Sequence, residues 1–231
     1  MAAVTEEPGR KSGEILLIRK PRGWTSFDVV RKVRNVLGVR KAGHAGTLDP
    51  LATGLLVVGT DSCTKDLGRF LELEKEYVVR MRLGGRTASL DADTPVTEVL
   101  PVPDLSREEV TRVLGRFIGD QLQVPPMYSA VKVKGTRLYK RARRGEEVDR
   151  PPRCVTIHSI DLVDVALPEM TLDVVCSKGT YIRSLVDDIG KALGTAAYVT
   201  ALERKRIGTY SLDDALSLDE LPGRSGDRGR A

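Results

Sequence analysis

Residues 43–58, Gly-His-Ala-Gly-Thr-Leu-Asp-Pro-Leu-Ala-Thr-Gly-Leu-Leu-Val-Val, constrain this chain more than any other stretch. Three glycines and a proline surround one carboxylate, Asp49, and the apolar run Leu55–Val58 follows at once. That order predicts a shaped loop that leads into a buried strand. Glycine allows positive φ angles and close approach by another molecule. Pro50 pushes Asp49 towards extended backbone, since proline disfavours the helical region for the residue before it. The acid is therefore presented from a loop and not from a helix face. By itself an Asp-Pro pair also marks an ordinary turn, so the rest of the chain has to decide between the two readings.

The other segments predict an α+β chain with a mainly antiparallel sheet, because strands and helices alternate without a repeating βαβ spacing. Ile15–Ile18 reads as a short buried strand. Thr25 or Ser26 caps a helix whose apolar residues run from Val29 to Leu37 and which Gly38 ends. Residues 61–71 form a short helix, and 77–83 alternate as a half-buried strand. Residues 87–94 are polar and loop-like. Ser106 and Glu109 have capping-box spacing ahead of Val110, Val113, Leu114 and Phe117. Residues 155–165 and 171–176 are two strands joined through Pro168. Residues 179–194 form an amphipathic helix with Leu185, Val186 and Ile189 inward, and 213–221 a last short helix. The ends, 1–12 and 223–231, are small, charged and aperiodic, as disordered tails are.

Composition narrows the function classes. No apolar run reaches the ~18 residues that a membrane span needs, and the first thirteen residues lack the apolar core of a signal peptide. Three unpaired-looking cysteines fit a reducing, cytoplasmic setting. His44 and His158 have no cysteine or carboxylate at ligand spacing, so a metal site is not expected. Between Lys132 and Arg153 nine basic residues face three acidic ones, an excess that covers the whole net charge of +5. Such a stripe is the footprint of a phosphate-backbone partner; a solvated charged surface would look similar.

Five segments occur in one order: Lys-Pro-Arg-Gly-Trp-Thr-Ser (20–26), the 43–58 loop, Lys-Glu-Tyr-Val-Val-Arg-Met-Arg-Leu-Gly (75–84), Val-Pro-Pro-Met-Tyr-Ser-Ala-Val-Lys-Val-Lys-Gly-Thr-Arg-Leu-Tyr (124–139) and Cys-Ser-Lys-Gly-Thr-Tyr-Ile-Arg-Ser-Leu-Val-Asp-Asp-Ile-Gly (176–190). Together they resemble the bacterial TruB-type tRNA pseudouridine synthases over roughly residues 13–221. The resemblance implies a pseudouridine synthase fold in one catalytic domain, 13–222, with a basic RNA-clamping insertion at about 124–153. It implies isomerisation of one uridine in the T loop of tRNA (position 55), without cofactor or metal, by a cytoplasmic monomer that needs no obligate protein partner and no membrane. An alternative is a non-catalytic RNA-binding or tRNA-folding module on the same fold.

The same resemblance implies roles for particular residues. Asp49 is the catalytic carboxylate, Tyr77 the active-site tyrosine, and Arg183 the arginine that pairs with the aspartate. Tyr181 and Leu202 line the uridine pocket, and His44 contacts the RNA where nucleotides flip. Extruding a base costs a few kcal/mol, so aromatic replacements for its lost stacking are sensible there. RNA contacts are implied at Lys20, Arg40, Lys132, Arg137, Lys140, Arg141, Arg143 and Arg144. Asp187 and Asp188 are alternative partners for Arg183. Most relatives carry a second RNA-binding domain after the catalytic core; this chain resembles a short form without it, for which weaker tRNA affinity is expected.

Overall fold

The computed structural model describes residues 13–221, apart from 130, 134 and 143 and the side chains of 132, 133, 137 and 140. The expected terminal tails lie outside the described residues. The chain divides into two compact units, one containing residues up to Glu72 and from Gly208 onward, the other Leu73–Ile207.

The first unit contains β1 (Ile15–Lys20), α1 (Ser26–Leu37), β2 (Ala42–Ala45), β3 (Thr53–Thr60) and α2 (Leu67–Glu72). The apolar run predicted to be a buried strand is β3, and Leu55 to Val58 are wholly shielded from solvent. β3 pairs antiparallel with β1, from Ile15–Gly59 to Lys20–Gly54, and with β2, from Ala42–Thr60 to Ala45–Val57. Helix α1 starts where Thr25 Oγ1 accepts from the Asp28 N–H and the Asp28 carboxylate accepts from the Thr25 N–H. The Thr25 hydroxyl also donates to the Asp28 carboxylate at 2.6 Å, and this bond, followed by the one from the Thr25 N–H, holds the Asp28 carboxyl below its usual range. Gly38, at φ 61°, ends the helix. Val29 and Val33 of α1 pack with Leu16, Ile18, Leu56 and Val58 as the unit's core.

Residues 213–221 depart from expectation. The described residues there form a 3-10 turn at Leu212–Asp214 and a further turn at 218–220, and helix is reached only at Leu221. The Arg19 N–H then donates to the Leu216 carbonyl at 2.8 Å, and the Leu216 N–H to the Leu17 carbonyl at 2.9 Å. The free edge of β1 thus takes the backbone groups that a helix would have used internally.

The second unit contains β4 (Lys75–Leu83), β5 (Gly85–Thr87), β6 (Val96–Val99), α3 (Arg107–Leu114), β7 (Gly119–Gln123), β8 (Lys132–Val133), β9 (Thr136–Arg137), α4 (Leu138–Ala142), β10 (Arg153–Ala166), β11 (Glu169–Cys176), α5 (Ile182–Ala192) and β12 (Ala197–Ile207). Its sheet runs β12-β4-β11-β10-β7, antiparallel throughout. Period-two burial puts Tyr77, Val79 and Met81 of β4 on the core face, beside Leu172 and Val174 of β11. Helix α5 buries Leu185, Val186 and Ile189 and comes close to the start of β12: a Cβ on Gly190 would stand 2.6 Å from that of Ala197. Outside the named strands, isolated parallel bridges join Ile18 to Leu216 and Asp91 to Val199. The architecture is α+β with a mainly antiparallel sheet flanked by helices. No described helix is long and apolar enough to cross a membrane.

Candidate active site and RNA-facing surface

The expected site residues fall in both units: His44 and Asp49 in the first, Tyr77, Tyr181, Arg183 and Leu202 in the second. Asp49 lies, half-buried, in the loop between β2 and β3. Gly46 (φ 82°) and Gly54 (φ 106°) frame that loop in conformations that side chains rarely adopt. The segment before α1 grips it from several sides. Ser26 Oγ accepts from the Leu48 N–H at 2.9 Å and donates back to the Leu48 carbonyl at 3.1 Å. The Gly23 N–H donates to the Pro50 carbonyl at 2.8 Å, and the Ala52 N–H to that of Asp49 at 3.1 Å.

Lys20 completes this grip and corrects an expectation. It was expected to face RNA phosphate, but it is fully buried. Its ammonium donates to the carbonyls of Ala52 (2.5 Å), Pro21 (3.0 Å) and Pro50 (3.4 Å). A buried ammonium must be compensated by such acceptors. Its role is to brace the loop, and its charge is not presented to solvent. His44 is half-buried on β2, opposite Val58 of β3.

In the second unit Tyr77 and Leu202 lie on the core face of neighbouring strands, where Tyr77 pairs with Arg204 and Val79 with Leu202. Tyr181 is the residue before α5, and Gln123 fixes it: the Tyr181 N–H donates to Gln123 Oε1 at 2.7 Å, and Gln123 Nε2 to the Tyr181 carbonyl at 3.1 Å. Arg183, one residue into α5, is buried. It donates to the carbonyls of Ser89 (2.6 Å) and Tyr128 (2.8 Å), and its Nε lies 3.5 Å from Asp91 Oδ2. Asp91 is buried too, and accepts from Ser89 Oγ at 2.5 Å and from the Asp93 N–H at 3.0 Å. These bonds fix the plane of the guanidinium. Asp187 and Asp188, the alternative partners, pair elsewhere: Asp187 with Arg86 and Lys191, Asp188 with Lys191. Cys176 lies on the core face beside Lys75, and burial pushes its thiol up to about 11. It is a thiol at neutral pH and not a competing nucleophile.

The supporting residues were missed in each unit: Ser26, which holds the Asp49 loop in the first, and Asp91 and Gln123, which hold Arg183 and Tyr181 in the second. Asp91 stood in a segment read as polar loop, yet that loop is folded inward around the buried Thr87 and Ser89. Among the expected RNA-binding residues, Arg40 and Arg144 are exposed and Arg141 is half-buried. Arg144 has a loose ion pair with Glu146 at 3.9 Å. Arg143, and the side chains of Lys132, Arg137 and Lys140, lie outside the described residues.

Against known families, residues 34–182 match the model described as TruB family pseudouridylate synthase, N-terminal domain. The chain belongs to the TruB family. A second model, described as tRNA pseudouridylate synthase B C-terminal domain, matches residues 183–225, from Arg183 through α5 and β12. Among curated relatives, the tRNA pseudouridine synthase B of Nitrosococcus oceani is 50% identical over 90% of this chain and 67% of its own length. That of Parabacteroides distasonis is 46% identical over 91% of this chain and 92% of its own length. Among solved structures, a crystal structure of a Cbf5–Nop10–Gar1 complex matches with a TM-score of 0.72 at 30% identity, over 90% of this chain. The archaeal box H/ACA sRNP Nop10–Cbf5 complex matches with a TM-score of 0.69 at 26% identity, over 94%. This TruB-family chain spans about half the length of those two matched chains, 53% and 55%.

Proposed function

We propose that this chain isomerises one uridine in the T loop of tRNA, position 55, to pseudouridine, with Asp49 as the catalytic carboxylate. In that reaction the bond from ribose C1′ to N1 breaks and a bond from C1′ to C5 forms. The C5 proton is lost and N1 gains one, so no redox partner is needed. A carboxylate can act here as nucleophile, base or counter-charge, and each role requires it ionised and oriented. Tyr77 stacks on or exchanges a proton with the extruded base, Arg183 fixes the carboxylate, Tyr181 and Leu202 wall the pocket, and His44 contacts the RNA at the flip. The basic insertion at 124–153, with Arg141, Arg143 and Arg144, closes over the T loop, and Arg40 adds a phosphate contact. The enzyme works in the cytoplasm as a monomer.

The observation that carries the reading is the bracing of residues 48–52. A fully buried lysine, a serine and a backbone N–H of the 20–26 segment are committed to a loop whose one charged residue is Asp49. Ordinary turns do not require a buried ammonium; a carboxylate that must meet a reacting bond does require fixed geometry. The similarity to curated tRNA pseudouridine synthases over nine-tenths of the chain supports the substrate. The test is to incubate unmodified tRNA transcript with the purified protein and map pseudouridine by chemical labelling and primer extension. A stop at the T-loop uridine is expected. An unmodified T loop would contradict the reading.

A further inference from the structure

Trp24 and Phe27, at the start of α1, stand out among the aromatic residues. Phe27 is 67% exposed and Trp24 37%. Trp24 precedes the N-cap Thr25, a position where an apolar side chain commonly packs on the first helical turn. More than a third of its surface nevertheless remains open, and Phe27, within the first turn, is more exposed still. Chains with few aromatic residues bury them for core volume; this one has only one Trp and three Phe and leaves two of the four in water at one helix end.

Their surroundings identify what they fit. Arg31 and Arg34 follow Phe27 at i+4 and i+7, hence on the same stripe of α1. Arg22 precedes Trp24, and Lys32 adds a further exposed cation. Asp28 is the only acid of the helix, and it is tied to Thr25 and Arg31. A protein partner for so basic a patch would need an unusual density of acids. Exposed aromatic rings among cations match single-stranded RNA, whose bases stack while its phosphates meet the charges. The place is telling as well: the Gly23 N–H holds the Pro50 carbonyl and Ser26 holds Leu48, so the turn carrying Trp24 adjoins the Asp49 loop.

We infer that Trp24 and Phe27 form a stacking platform for unpaired nucleotides of the RNA substrate that flank the uridine taken by Asp49, with Arg31 and Arg34 contacting their phosphates. This rests on the RNA-modifying reading but is tested apart from it. Trp24 is the sole tryptophan, so its fluorescence reports this surface alone. A synthetic tRNA T-stem-loop hairpin is titrated into the full-length protein while binding is followed independently by filter retention. Saturable quenching that tracks retention is expected. Phe27→Ala should weaken retention about tenfold, the ordinary effect of losing one stacked base, whereas Phe27→Tyr should restore it. Because Phe27 is so exposed, its melting temperature should not move, and Trp24→Ala gives a second, independent reading of affinity. Retention without quenching, or full affinity in both Ala variants, would overturn the inference. So would an emission shift that follows protein concentration without RNA, which would assign the patch to a second copy. Pseudouridine is measured in the same samples: its absence would count against the proposed activity, while the quenching still decides the platform.

Discussion

Replacing Ser26 by Ala tests whether the loop is held in order to position its carboxylate. The hydroxyl makes two bonds to one residue, accepting from the Leu48 N–H and donating to its carbonyl, both buried. Alanine fits the same space but leaves both backbone groups without that partner. An orphaned buried polar group costs about 1–3 kcal/mol. Partial relaxation makes about 2–4 kcal/mol the reasonable total, which for a chain of this size lowers Tm by about 4–16 °C. Ser26 is the first residue of α1, where alanine is a good helix former, so the helix itself should survive. The effect on turnover should exceed the effect on folding, because a displacement of about 1 Å at a reacting group can cost about 100-fold in rate. Thermal melting gives the first quantity, and tritium release from tRNA labelled at uridine C5, measured well below Tm, gives the second. A variant that melts early yet turns over within about twofold of the parent would refute the positioning argument, and leave Ser26 a purely structural residue.

Two further outcomes follow from the electrostatics. Replacing Arg141, Arg143 and Arg144 together by Ala should weaken tRNA binding and flatten the slope of log affinity against log salt by about 2–3, since each phosphate contact contributes about 0.7–0.9; an unchanged slope would remove these residues from the interface. Asp173, on the solvent face of β11, has its carboxyl pushed above the usual range by partial burial and then by Glu76 and Asp161. A folded-state value above the unfolded one means the charged form is disfavoured by folding, so the cost is present at neutral pH and disappears as pH falls below the ordinary Asp value. Asp173→Asn should therefore raise Tm at pH 7 by about 1–2 °C, a small effect because solvent screens the group, and should give no gain near pH 3; a gain that persisted in acid would contradict this account.

Much of the fold was legible because periodicity survived in the sequence. β4 alternates cleanly from Lys75 to Leu83, and α5 keeps one apolar face. β12 was not read as a strand, and the reason is specific. Register shifts between Val199 and Ala201 and between Arg204 and Arg206 interrupt its alternation. The run Glu203-Arg204-Lys205-Arg206 then looks like solvated charge, although Arg204 is almost wholly buried. Lys20 misled in the same way. Lysine in a turn is ordinarily exposed, and nothing local reveals that three carbonyls from two segments gather around its ammonium. Arg183 could be named from its motif, but Asp91, with which it pairs, lies 92 residues earlier, in a segment whose polar composition suggests solvent and whose hydrogen bonds turn it inward. For Lys20 and Arg183 the missing information was tertiary: which distant carbonyls or acid compensate a buried charge.

The central claim is that Asp49 carries the chemistry. Asp49→Asn keeps the shape of the side chain and removes its charge, so the loop and its bracing should persist. Tritium release from C5-labelled tRNA by this variant measures the claim most directly. No release above background is expected, with the T-stem-loop hairpin still bound at close to the parent affinity. Release at the parent rate would contradict the assignment of Asp49.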